Sequence, residues 1–206
     1  MLLNKHNLAI ADLASKDESR YTLTAIRVTP KWTATTNGHY LVTVTLPKLK
    51  DSQFPRIDGF NPTNGTTPPF LLHRDDALAI GKSIPRKQSI PVLETAAIGA
   101  TADGKIQVAV TDLDSPKLTV PRKMDGQFPN IDAVIPNGEK RTLRIGLDAA
   151  YLAKLAKSAL ATCDNGRRHE VTICCDFIDA QSAVKMTATN PETEQEWMAV
   201  LMPKRI

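Results

Sequence analysis

Thr45 to Asp58, TLPKLKDSQFPRID, is echoed by Thr119 to Asp132, TVPRKMDGQFPNID, with eight of fourteen positions identical and no gap. A copied segment of this length implies copied structure, so the chain reads as a string of like units. Upstream of the first copy Asn37-Gly38 precedes HYLVTVT, and upstream of the second Asp103-Gly104 precedes KIQVAVT. Such dipeptides supply the positive φ angles of a tight hairpin turn, and the alternation after them fits strands with one buried face. A weaker third copy runs from Thr187-Ala188-Thr189-Asn190 through EWMAVLM. Leu46-Pro47-Lys48, Val120-Pro121-Arg122 and Met202-Pro203-Lys204 then share one signature: an apolar residue, a proline and a cation.

Each unit carries a helical pattern ahead of its strands. Apolar spacing predicts helices over about Asn4 to Ser15, over Arg74 to Ile84 with Pro85 as the stop, and over Leu147 to Cys163 with Asp148 as the cap. Further strands are expected at Tyr21 to Val28, Lys117 to Val120, Glu170 to Phe177 and Ala183 to Ala188. Phe60 to Pro69, rich in Pro, Asn, Gly and Thr, reads as a loop, and the first unit reads as lacking a leading strand. The expected fold is α+β, with helices on one face of antiparallel sheets. Residues 1–136 would form one domain of two units, 1–60 and 66–136, and residues 140–206 a third unit.

Composition narrows the function. A net charge of +4 allows a polyanion partner without demanding one. Apolar runs are too short for a membrane span and the N-terminus lacks a signal-peptide core, so a cytoplasmic protein is expected. Cys163, Cys174 and Cys175 are odd in number and wrongly spaced for zinc or a disulfide framework. Ile80-Gly81-Lys82-Ser83 ends like a phosphate-binding loop, but Asp76 stands where the first glycine belongs. His6, His39, His73 and His169 have no metal-ligand spacing, and no serine lies in a nucleophile-elbow pattern. No catalytic constellation, metal or cofactor is expected.

Several short segments, in order, resemble bacterial DNA sliding clamps, the β subunits of the replicative polymerase. MDGQFPNIDAVIP, Met124 to Pro136, resembles the end of the middle clamp domain, and TTNGHYL, Thr35 to Leu41, resembles its Thr-Asp-Gly-His-Arg-Leu segment. LDAAYLAKLAKSAL, Leu147 to Leu160, resembles the last clamp helix, and VLMPKRI, Val200 to Ile206, resembles the clamp C-terminus. Asn37, Tyr40 and Lys204 depart from the family pattern, replacing an acidic residue, an arginine and a methionine. A standard bacterial clamp is much longer, so the resemblance is to a shortened clamp of phage or mobile-element kind.

The resemblance implies two sites. A groove for short peptides of the Gln-Leu-x-Leu-Phe kind, borne by polymerases and clamp loaders, would be walled by Leu23, Thr36, Gly38, His39, Tyr40, Leu41, Pro136, Ser182, Val200, Met202, Pro203, Lys204, Arg205 and Ile206. Double-stranded DNA, met without sequence preference, would face Arg20, Tyr21, Lys82, Lys154 and Lys157. The implied protein is a processivity factor, a homo-oligomeric ring that tethers replication or repair proteins to DNA and is not an enzyme. The alternative is a non-ring module that binds clamp-type peptides and competes with, or regulates, the host replication clamp.

Overall fold

A computed structural model of the chain describes residues 1–48, 54, 56–62, 67–85, 91–122, 124–135, 143–163, 171–191 and 193–205. Asn4 sets the first boundary. Its side chain accepts from the Asn7 backbone N–H at 3.0 Å while the Asn7 side chain accepts from the Asn4 N–H at 3.1 Å. This reciprocal cap starts helix α1 (Lys5–Ala9) directly after strand β1 (Leu2–Asn4). The helix expected to reach Ser15 instead tightens into a 3-10 turn, Ile10–Leu13, and stops where Ala14 turns extended. The first unit therefore does have a leading strand, contrary to expectation.

The chain divides into two compact units, Met1–Val134 and Ile135–Ile206. In the first, β2 (Ala25–Val28), β3 (Trp32–Thr36), β4 (Leu41–Thr45) and β6 (Phe70–His73) form one antiparallel sheet, in the order β4-β3-β2-β6. The second sheet has the order β1-β7-β8-β9, from β1, β7 (Thr95–Ala100), β8 (Ile106–Thr111) and β9 (Pro116–Thr119). Strand β6 leads into α2 (Arg74–Ser83) as β1 leads into α1, with His73 in the capping place of Asn4.

The leading strands are exchanged between the halves. β1 pairs with β7, setting Leu3 opposite Ala96, and β6 pairs with β2, setting Leu72 opposite Ile26. All four residues are fully buried, in a core shared with Leu8, Ile80, Ile98 and Val108. The helices meet within that core, since a Cβ on Gly81 of α2 would touch the Leu8 side chain at 3.5 Å. Neither half closes its core alone.

Three other expectations need correction. Glu18–Thr24 is a 3-10 stretch capped by Asp17, so the strand read from Tyr21 begins only at Ala25. Within the expected loop, β5 (Asn61–Pro62) pairs with Gly99 and Ala100 of β7. The two Gly turns are also not equivalent: Asn37-Gly38 joins β3 to β4, whereas Asp103-Gly104 joins β7 to β8, one strand earlier. Both glycines have positive φ, +95° and +77°. The dipeptide marks a tight connection without saying which of the connections it is.

The second compact unit holds α3 (Ala149–Cys163) and a sheet in the order β10-β11-β12, made of β10 (Cys174–Asp176), β11 (Val184–Thr189) and β12 (Glu196–Leu201). The strand expected from Glu170 is described only from 171 onward and pairs from Cys174. Asp148 caps α3, accepting from the backbone of Ala150 at 2.9 Å and Tyr151 at 3.2 Å. Val184, Met186, Ala188, Trp197 and Leu201 on the sheet pack with Ala159 and Cys163 of the helix. The resulting fold is mixed α+β, with three antiparallel sheets among the described residues.

Each apolar-Pro-cation segment lies at or beside a bond between the strand end and the start of the preceding helix. At its first occurrence the Asn7 amide of α1 donates to the carbonyls of Val44 and Thr45, at 3.3 and 3.0 Å, just before Leu46-Pro47-Lys48. At the second, Arg122 donates to Asp76 of α2 through its backbone N–H at 2.9 Å and its Nε at 3.2 Å. At the third, Lys204 Nζ meets Asp148 Oδ2 at 2.9 Å. The chain leaving the last strand is thus tied back each time to the start of the preceding helix. The carboxylates of Asp76 and Asp148 also suit the positive end of the helix dipole.

Partial burial alone would raise the Asp76 carboxyl, but the bonds from Arg122 outweigh it and hold Asp76 below its ordinary value of 3.8. A depressed carboxylate contributes stability above its unfolded pKa and loses it as pH falls through the folded value. Arg122→Ala is therefore expected to cost about 1 kcal/mol at neutral pH, discounted for solvent screening. The cost should shrink as pH falls through the depressed folded pKa of Asp76, below 3.8. Urea melts at neutral and at acid pH check this, and an equal loss at both would remove the carboxylate from the explanation.

Candidate protein-docking surface

In the first compact unit the expected docking residues gather at the β3–β4 turn. Thr36 Oγ1 donates to the Tyr40 carbonyl at 2.6 Å and accepts from the Gly38 N–H at 3.1 Å. The Asn37 side chain accepts from the backbone of His39 at 2.9 Å and of Tyr40 at 3.3 Å. The Tyr40 hydroxyl donates to the Leu13 carbonyl at 2.7 Å, fastening the turn to the end of the first 3-10 segment. Arg20 lies against the same turn, its Nη1 3.2 Å from where a Cβ on Gly38 would stand.

Arg20, His39 and Tyr40 thus share a shallow cleft of about 470 Å³ with Asp12, Lys16 and Asp17. Side-chain and backbone bonds from Ser19 hold Asp17 below its ordinary carboxylate range, with Arg20 adding to the effect. This cleft brings together residues expected for peptide and for DNA, and its lining is more polar than a peptide groove requires. Leu23 and Leu41 are half-buried beside it in sequence, Leu41 packing on the cluster of Ala34, Leu71 and Phe128. Tyr21 is exposed, and its carbonyl accepts from Thr24.

A larger cleft, about 1050 Å³, lies elsewhere in this unit, between Phe70, Leu71, Arg122 and the repeated Gly126-Gln127-Phe128 segment. Among its rim residues Asp103 pairs with Lys105 at 2.7 Å, and bonds from Lys105 and Thr101 lower its pKa to about 2. Sequence reasoning assigned it no role.

In the second unit, β12 alternates cleanly. Trp197 and Leu201 are buried toward α3, whereas Met198, Val200 and Met202 are 65%, 57% and 66% exposed on the other face. The result is an apolar stripe along an edge strand, where side chains two apart share a face. Met198 was not among the expected residues, although the alternation in EWMAVLM is enough to find it. Val184 pairs with Leu201, so Ser182 falls at the same end of the sheet as Met202 and Pro203. Ser182 donates to Asp179 at 2.9 Å in its turn.

Lys204 is committed to its own unit. Its backbone N–H donates to the Gly146 carbonyl at 2.8 Å, and its ammonium, first among several contacts, keeps Asp148 below the ordinary carboxylate range. Arg205 is exposed. Pro136 and Ile206 lie outside the described residues.

No protein-family model matches the chain, and no curated protein matches it.

The cations expected to meet DNA are all exposed. Lys154 and Lys157 stand on α3, the former 5.9 Å from the Tyr151 ring centroid, and Lys82 stands in the last turn of α2. Lys82 also suits the carbonyl end of its helix, so its place has a local cause as well. Among the described residues no cluster of His, Cys, Asp and Glu could hold a metal ion, and no helix is long and apolar enough to cross a membrane.

Proposed function

We propose that this chain is a sliding-clamp-like processivity factor, which tethers replication or repair proteins to DNA by docking short apolar peptides. The observation that carries the reading is the exposed stripe Met198, Val200 and Met202, which runs into the Met202-Pro203-Lys204 segment that resembles the clamp C-terminus. A sheet face that needs only solvation would not carry three large apolar side chains in register, whereas a peptide with aliphatic and aromatic anchors would bury them. The recurring order of helix and three antiparallel strands supports a clamp-like repeat, and units of this kind would join edge to edge into a ring. Exposed Lys82, Lys154 and Lys157 would then serve the DNA backbone, together with Arg20 and Tyr21 at their loop.

The test is retention on closed circular DNA. The protein, loaded onto a nicked circle, is expected to stay through gel filtration at salt that strips backbone contacts, and to run off once the circle is linearised. Equal loss from circle and line rules out encirclement; if peptide binding persists, the alternative of a non-ring competitor replaces it. Lys154→Glu with Lys157→Glu should flatten the salt dependence of DNA binding by about two units of slope if both lysines face phosphate.

A further inference from the structure

The first compact unit shows what a half of this fold needs from its partner half. Its leading strand is covered by the other half's first strand, its first strand by the other half's leading strand, and its helix by the other helix. The second compact unit has the same parts, and among its described residues all three places are open. Among the described residues β10 pairs with β11 alone, and Leu143–Asp148, the segment leading into α3, belongs to no sheet.

Burial follows the same contrast. Leu3 and Leu72, each just before a helix cap, are fully buried, whereas Leu147 in that place is only half-buried and Leu143 upstream is 42% exposed. Leu8 and Ala77, four residues after their caps, are 1% and 0% exposed; Leu152, four after Asp148, is 39% exposed. Val108 lies opposite Ile98 in one sheet, and continuing the β10–β11 register by one residue sets Val184 opposite Phe177. Ile98 is fully buried, and Phe177 is 46% exposed.

We propose that the second compact unit pairs with the same unit of a second copy of this chain, each lending its Leu143–Leu147 segment to the other's β10 edge and packing α3 against α3. A second copy is the fitting occupant because the open places are mutually complementary, and a two-fold axis satisfies both edges at once. The pairings that serve as template, β1 with β7 and β6 with β2, are antiparallel, as such an axis requires. The Gly146 carbonyl already accepts from Lys204, which holds the lending segment in place before the partner arrives. Transferring the Leu3–Ala96 register puts Leu147 of one copy opposite Cys175 of the other, and Cys175 is free and exposed. The inference rests on the repeated pairing alone and stands whether or not the chain encircles DNA.

Directly opposed residues of antiparallel strands are within disulfide reach. Leu147→Cys in a Cys174→Ser background is therefore expected to give an oxidised, covalent dimer on a non-reducing gel, lost when Cys175→Ser is added. In sedimentation without DNA or peptide, the unmodified chain should run at an even multiple of its monomer mass. Leu152→Glu, at an exposed position, should halve that mass while leaving the far-ultraviolet circular dichroism unchanged. A chain that sediments as a monomer throughout the micromolar range overturns the proposal, as does an oligomer that neither forms the crosslink nor responds to Leu152→Glu. Failure of DNA retention with the mass unchanged would count against the clamp reading only.

Discussion

Asn7→Ala is expected to lower the stability of the first compact unit by about 3 kcal/mol, or roughly 10 °C in melting temperature. Asn7 is fully buried, and its amide donates to Thr33 Oγ1 at 3.2 Å and to the Val44 and Thr45 carbonyls at 3.3 and 3.0 Å. Its Oδ1 meanwhile accepts from the Asn4 backbone. Truncation strands these partners away from water, which costs more than a typical exchanged hydrogen bond gives. It also removes one half of the capping box at α1. Asn7→Asp should be at least as harmful, because a carboxylate facing two carbonyls replaces attraction with repulsion. Thermal denaturation of the full chain measures both, and a loss under about 1 kcal/mol would mean that the strand end is held by other contacts.

Met198→Glu combined with Met202→Glu is expected to weaken binding of a Gln-Leu-x-Leu-Phe type peptide by about a hundredfold or more, roughly 3 kcal/mol. Each side chain is about two-thirds exposed, so neither change touches the core formed by Trp197 and Leu201. What changes is the desolvation required of an arriving apolar anchor, since a carboxylate in the stripe must be stripped of water for no return. Fluorescence anisotropy with a labelled peptide gives the affinity, and circular dichroism checks the fold. If the double variant binds the peptide as well as the original chain, docking lies elsewhere, and the polar cleft at Arg20, His39 and Tyr40 becomes the next surface to vary.

The parts of the fold that could be read in the sequence are those whose causes are local. Helices α2 and α3 follow from apolar spacing between identifiable ends: Pro85 beyond one, Asp148 before the other. The positive φ at Gly38 and Gly104 follows from the dipeptides that contain them. Glu18–Thr24 misled because Tyr21 and Leu23 alternate as a strand would, while Asp17, hydrogen-bonded to Ser19, turns the backbone into a 3-10 stretch. β1 and β5 are too short to show periodicity, and their pairing is decided by residues of β7 far along the chain. At the candidate surface, sequence comparison reached Val200 and Met202 through a resembling motif and missed Met198, for which the alternation of β12 alone is the signal. The apolar-Pro-cation pattern was visible as a repetition; the bonds at or beside it that fasten each strand end to a helix start depend on Asn7, Asp76 and Asp148, which are not all one residue type and so do not repeat as letters.

The exchange of leading strands has a consequence for how the chain is made. Leu2 to Asn4 leave the ribosome more than ninety residues before Thr95 to Ala97, the partners with which they pair. Neither half of the first unit can be finished as it is synthesised, because each waits for a strand of the other. Contacts so distant in sequence pay their loop-closure entropy before any reward, which slows folding and leaves sheet edges open meanwhile. The first compact unit, Met1–Val134, is thus expected to fold in one cooperative step, not divisible at the boundary between its repeats.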